Sequence, residues 1–213
     1  MSKIKIRNRL TVCVLATVIV AFALPADAHH ILIEDRDTRG FDSALAIPRP
    51  DISWAVYARL EKPDDVDFFS FQVVRPGPIH LGIFIPCRPE FADYYPTYAL
   101  VGPGLAAPAE KIPFALPAGD GAIVVRSRPA SPRDTFFEPF TLTRLYYGVT
   151  FTDTEAAKPG EYFMVVWSDR GDYGDYLISY GTAETWSVRD LIDSYKIVAR
   201  VKGGAWGKFR GRP

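Results

Sequence analysis

Trp54-Ala55-Val56-Tyr57-Ala58-Arg59-Leu60 and, across the Pro63-Asp64-Asp65 turn, Asp67-Phe68-Phe69-Ser70-Phe71-Gln72-Val73 decide the fold class. In the first stretch Ile52, Trp54, Val56, Ala58 and Leu60 alternate with Ser53, Tyr57 and Arg59, the two-residue period of a half-buried strand. In the second, Phe69, Phe71 and Val73 alternate with Phe68, Ser70 and Gln72. The pattern continues beyond the Pro76-Gly77-Pro78 turn, where Ile79, Leu81, Ile83 and Ile85 alternate with His80, Gly82 and Phe84. Apolar runs at 97–101, 122–125, 136–147, 162–168 and 175–180 follow, most of them bounded by Gly, Pro or Asp. Short strands at this spacing, with no long helical period between them, predict an all-β fold: an antiparallel β-sandwich, jelly-roll-like in plan. Proline is frequent between 86 and 117, so strands there are expected to be short or at an edge.

The C-terminal end changes character. Ser187 and Asp190 resemble a capping box, and Val188, Leu191, Ile192, Tyr195, Val198 and Ala199 recur at helical spacing before Gly203-Gly204. This predicts a short amphipathic helix that covers an open face or edge of the sandwich. Trp206, Lys208, Phe209, Arg210 and Arg212 then form a basic, aromatic tail, read here as candidate partner-binding residues.

The N-terminal 28 residues read as a secretory signal peptide. Lys3, Lys5, Arg7 and Arg9 precede an apolar run from Leu10 to Leu24, and Pro25-Ala26-Asp27-Ala28 ends in a small-x-small site. The run is short for a membrane span, and Pro25 would end its helix early; the competing reading is a retained anchor. Cleavage after Ala28 leaves His29 first, with 21 cationic and 24 acidic residues of the original 25 and 25. Cys13 departs with the leader, and Cys87 becomes the sole thiol in an oxidising compartment. The expected organisation is therefore a leader at 1–28, a lead-in segment at 29–49, the sandwich at 50–184, and the helix and tail at 185–213. A near-neutral charge gives no basic surplus for nucleic acid, and no membrane span is expected after cleavage.

Trp54–Leu60, Asp65-Val66-Asp67-Phe68-Phe69-Ser70-Phe71-Gln72-Val73 and the Pro-Gly turn into an apolar strand resemble the bacterial pre-peptidase C-terminal domain family. Its closing hairpin is matched by Pro159-Gly160-Glu161-Tyr162-Phe163-Met164-Val165-Val166-Trp167 and Gly174-Asp175-Tyr176-Leu177-Ile178. The resemblance spans roughly residues 50 to 182. It implies a β-sandwich that accompanies secreted enzymes as a non-catalytic module for secretion, stability or polymer binding. Some relatives carry calcium near the N-terminal edge of the domain. The proline-rich middle and the appended helix and tail depart from the family pattern.

Three constellations bear on chemistry. A free amine and imidazole at His29, with His30 and His80, are the ligand types of a copper site. The alternation puts His80 on the solvent side of its strand, and a signal flank plus one surface histidine is the plainer account. Asp169, Asp172 and Asp175, interleaved with Gly171 and Gly174, are candidate calcium ligands; Glu34, Asp35, Asp37 and Asp42, and Asp64, Asp65 and Asp67, form two further acidic groups. Aspartates also favour turns without any ion. Hydrolytic chemistry lacks both a Gly-x-Ser-x-Gly elbow and a His-Glu-x-x-His helix. Tyr94, Tyr95, Tyr98, Tyr146, Tyr147 and Tyr173 are aromatic faces for sugars or a protein surface, or else core and loop packing. The expectation is an exported, periplasmic or extracellular, non-catalytic module that binds a protein partner or an envelope polymer. A periplasmic copper-binding protein is the alternative, and no cofactor other than a calcium or copper ion is expected.

Overall fold

Alternation in the chain becomes eleven strands in two facing sheets. The computed structural model describes residues 29–49, 51–127, 132–138, 141–156, 158–183, 185, 197, 198, 201 and 206. The leader expected at 1–28 and most of the expected helix and tail lie outside the described residues. The strands are β1 (His30–Ile33), β2 (Leu45–Ala46), β3 (Trp54–Leu60), β4 (Val66–Val73), β5 (Gly77–Pro86), β6 (Thr97–Pro103), β7 (Asp120–Arg126), β8 (Thr135–Glu138), β9 (Thr143–Ala156), β10 (Gly160–Trp167) and β11 (Gly174–Tyr180). One sheet has the order β1-β3-β11-β5-β9-β8 and the other β2-β4-β10-β6-β7.

Two features depart from the sequence expectation. Neighbours pair antiparallel except at β1–β3 and β2–β4, which are parallel. The lead-in segment thus supplies an edge strand to each sheet. Parallel partners need a long crossover, and residues 34–53 provide it by visiting the opposite sheet at β2. The proline-rich stretch also holds an interior strand: β6 lies between β10 and β7 and is buried from Thr97 to Gly102. Its prolines stand at 96 and 103, outside the hydrogen-bonded interior, so the ladder keeps its donors. At Gly102 the backbone approaches Tyr162 so closely that an added Cβ would lie 2.3 Å from the ring.

The core between the sheets includes Val56, Leu60, Phe69, Phe71, Leu81, Ile83, Tyr98, Met164, Tyr176 and Ile178. Both outer faces are apolar as well. On the five-stranded sheet Phe68, Val101, Phe163, Val165 and Trp167 are covered by Phe41 and by Ile112, Phe114 and Leu116 of the proline-rich stretch. On the six-stranded sheet Ile31, Ile33, Ala55, Tyr57, Leu145 and Leu177 pack with Val198, Val201 and Trp206. Ile197, Val198 and Val201, the described part of the expected helix, have helical backbone.

Trp206 was expected in an exposed tail and is instead 1% exposed. Its ring meets Tyr57 edge-on at 4.7 Å, and its Nε1–H donates to the Val201 carbonyl at 3.2 Å. A large indole gains more from burial on an apolar sheet than from solvent exposure, which explains the change of role. Trp206→Ala is therefore expected to destabilise the fold by about 3–5 kcal/mol in chemical denaturation. A tryptophan in a free tail would change stability by less than about 0.5 kcal/mol.

Candidate functional site

Two places on the sandwich gather side chains with chemistry. The first is the polar end where β4 begins. The Pro63-Asp64-Asp65 turn sets Asp65 so that one carboxylate oxygen accepts the Glu61 N–H at 2.6 Å, which closes the turn. Asp67 is fully buried, and its carboxylate accepts the Tyr176 hydroxyl at 2.6 Å. Burial pushes the Tyr176 hydroxyl well above its ordinary pKa, and the adjacent Asp67 charge adds to this. The loop after β1 brings Asp37 to the same place, where its carboxylate also takes Arg39 Nε at 2.7 Å. One ligand-type oxygen from each of Asp37, Asp65 and Asp67 then lies within 4.8 Å of the others. Glu34, also buried, lies on the same loop, accepts the Thr38 hydroxyl at 3.2 Å and is paired with the start of this network through the Arg59 N–H. Oxygen-only donors this close together suit a hard divalent ion.

The last-hairpin aspartates do not form such a group. Asp175, 1% exposed, is gripped by Arg59 Nη1 at 2.7 Å and Arg88 Nη1 at 2.9 Å. Asp169 accepts Trp167 Nε1–H at 2.8 Å and the Thr97 hydroxyl at 2.8 Å, and pairs with Arg126. Asp172 pairs with Arg170 Nε at 3.3 Å. Each is held by its own donors, two in the turn between β10 and β11 and one on β11. The carboxylates that meet come instead from two segments nearly thirty residues apart in sequence.

The histidines are likewise apart. His29 Nδ1 pairs with the Ser53 hydroxyl, and His30 Nε2 donates to the Thr185 carbonyl at 2.6 Å while its ring lies 5.1 Å from Trp54. His80 is half-buried on β5, three strand spacings or about 14 Å from β1. Among the described residues the three do not converge on one point. Lys208, Phe209, Arg210 and Arg212 lie outside the described residues.

The second place is the outer face of the six-stranded sheet, toward β9 and β8. Phe84, Phe136 and Tyr147 meet edge-on or tilted, with centroids 5.0, 5.8 and 4.9 Å apart. Beside them lies a groove of about 160 Å³, whose walls include Tyr57, Leu177 and Glu138. Glu138 accepts the Thr141 N–H at 2.7 Å as well as the Thr141 hydroxyl. Of the five exposed large apolar side chains described, Phe137 (50%), Leu142 (59%) and Tyr147 (48%) all belong to the β8–β9 ribbon. The sequence marked residues 136–147 as apolar but carried no sign that their second face would stay uncovered.

The chain matches no protein-family model and none of the curated proteins.

Of the other predicted aromatic faces Tyr173 stays exposed, and the rest are structural. Tyr94, Tyr95 and Tyr98 are buried. Arg133 lies between the rings of Tyr95 and Tyr146 at 4.3 and 4.4 Å and donates to the carbonyls of Phe91, Ala92 and Tyr94, which pins that loop to β9. Cys87 is unpaired and half-buried; burial pushes its thiol up, against the pull of Arg144 and Arg133. It is thus a weak nucleophile at neutral pH. Asp175→Asn is expected to cost about 2–3 kcal/mol, because two guanidiniums lose a buried acceptor, and to leave metal uptake unchanged. Denaturation and metal titration of the same variant check both halves of this prediction.

Proposed function

We propose that the chain is an exported, non-catalytic binding module whose six-stranded sheet receives a protein partner or an envelope polymer at the β8–β9 ribbon. The observation that carries this reading is Tyr147, half exposed at the rim of an aromatic-walled groove, with Leu142 and Phe137 also exposed on the same ribbon, Phe137 on its opposite face. Scattered surface apolar residues are ordinary, but an exposed aromatic at the mouth of an apolar groove marks an interface. The fold and the pre-peptidase-like motifs at 54–73 and 159–178 agree with a module that binds rather than reacts. Among the described residues no helix is long and apolar enough to cross a membrane. The test is binding of the purified protein to washed peptidoglycan, other insoluble glycans and envelope proteins. Phe137→Ser with Tyr147→Ser should weaken the productive interaction at least tenfold while the melting temperature changes little. Unchanged binding by the double variant would remove the ribbon from the interface.

A second role is supported by the Asp37, Asp65 and Asp67 group: a divalent cation, calcium above all, that ties the loop after β1 to the start of β4. Such an ion would be structural, since it joins two segments and faces no groove. Calcium at about 100-fold its dissociation constant should add about 2.7 kcal/mol to stability, a rise of roughly 5–10 °C in melting temperature. Asp65→Asn should abolish that increment, and a melting temperature indifferent to calcium and chelator would exclude the ion. Copper retains only His29 and its amine as a candidate pair, and loss of copper binding in His29→Ala is its check.

A further inference from the structure

We propose that the cleft at the turn between β4 and β5 binds a small organic carboxylate with an apolar body, its carboxylate held by Arg75 and the Tyr180 hydroxyl. The cleft lies at the end of β4 opposite Asp67 and is separate from the β8–β9 ribbon. The inference goes beyond the binding-module reading and does not depend on it.

The cleft has a volume of about 450 Å³, within the range of small-molecule sites. β4 of one sheet and β5 and β11 of the other meet at its walls, so it opens on the seam of the sandwich. Val73 and Ile79, with Pro76 and Pro78, give it apolar sides. Tyr180 is 5% exposed, and its ring packs on Phe71 at a centroid distance of 4.6 Å. It is one of the cleft walls, yet its hydroxyl makes no hydrogen bond among the described residues. A buried hydroxyl is costly to leave unpaired, and a ligand oxygen in the cleft supplies the acceptor it lacks. Burial, helped by the charge of Asp51 on the rim, pushes this hydroxyl well above its ordinary pKa, so it stays a donor at neutral pH. Arg75 is a wall as well, and among the described residues its guanidinium has no ion pair. The one carboxylate of the described walls, Asp51, is already paired with Arg49 Nη2 at 3.2 Å, which leaves Arg75 as the unbalanced charge. A planar guanidinium and a phenolic hydroxyl are complementary donors for a carboxylate, and the aliphatic walls take an apolar body.

The experiment titrates the isotope-labelled protein with benzoate and, as its uncharged match, benzamide, and follows backbone amide resonances by NMR. Benzoate is expected to shift the amides between 72 and 79 and that of Tyr180, with a dissociation constant on the order of 1 mM. Benzamide should bind at least about tenfold more weakly. Arg75→Gln and Tyr180→Phe should each weaken benzoate about tenfold. The first changes an exposed side chain and the second keeps the ring that packs on Phe71, so both variants retain the fold. No shift at these residues up to about 20 mM benzoate, equal binding of benzamide, or unchanged affinity in either variant would each overturn the proposal. The Phe137→Ser, Tyr147→Ser protein should bind benzoate as the parent does, which keeps this result apart from the fate of the ribbon.

Discussion

Apolar side chains on both faces of both sheets are the constraint on which this molecule depends. A two-layer sandwich hides only the inner faces, and here Tyr57 and Leu177 on one outer face, and Phe163 and Trp167 on the other, are as buried as the core. The chain must therefore supply two further layers. Residues 112–116 cover the five-stranded sheet, and Val198, Val201 and Trp206 cover the six-stranded one. Each buried aromatic contributes a few kcal/mol, so neither cover is optional in a domain of ordinary marginal stability. The irregular part of the proline-rich middle after β6 is well suited to this work because a packed irregular segment needs few ladder hydrogen bonds.

The polar end of the sandwich meets the opposite demand. Glu34, Thr38, Asp65, Asp67 and Asp175 are all buried, and each is satisfied by a named donor: a backbone N–H, a hydroxyl or a guanidinium. Thr38 shows the economy of the arrangement, donating to Glu34 and accepting the Phe68 N–H at 2.9 Å. Such groups are costly when unpaired and restrictive when paired. They fix where the loop after β1 meets the start of β4, and hence the placement of β1 and β2 at the sheet edges.

Strands β3, β4 and β5 were legible because long alternating runs bounded by Pro-Asp and Pro-Gly turns leave little choice of period. β1 and β2 were not: four and two residues are too short to display a period, and parallel pairing leaves no hairpin turn to read. β6 was misplaced to an edge because proline density over a window hides a proline-free stretch within it. The acidic residues were visible as three separate runs, but only the crossover from β1 brings Asp37 to Asp65 and Asp67. Asp169, Asp172 and Asp175 looked better matched in sequence and diverge in space. Trp206 misled in the same manner: its basic neighbours suggest solvent, whereas its own surface area decides for the sheet.

The uncovered part of the six-stranded sheet follows from where its cover stops. Val198, Val201 and Trp206 reach Tyr57 and Leu145, yet Phe84 and Phe136 are only partly buried and Tyr147 is half exposed. β8, four residues long, is the edge strand of this sheet and cannot extend it far enough to bury the ribbon by pairing. Among the described residues the ribbon is thus the least covered part of this sheet. Any occupant that completes it gains the same apolar burial the rest of the sheet enjoys.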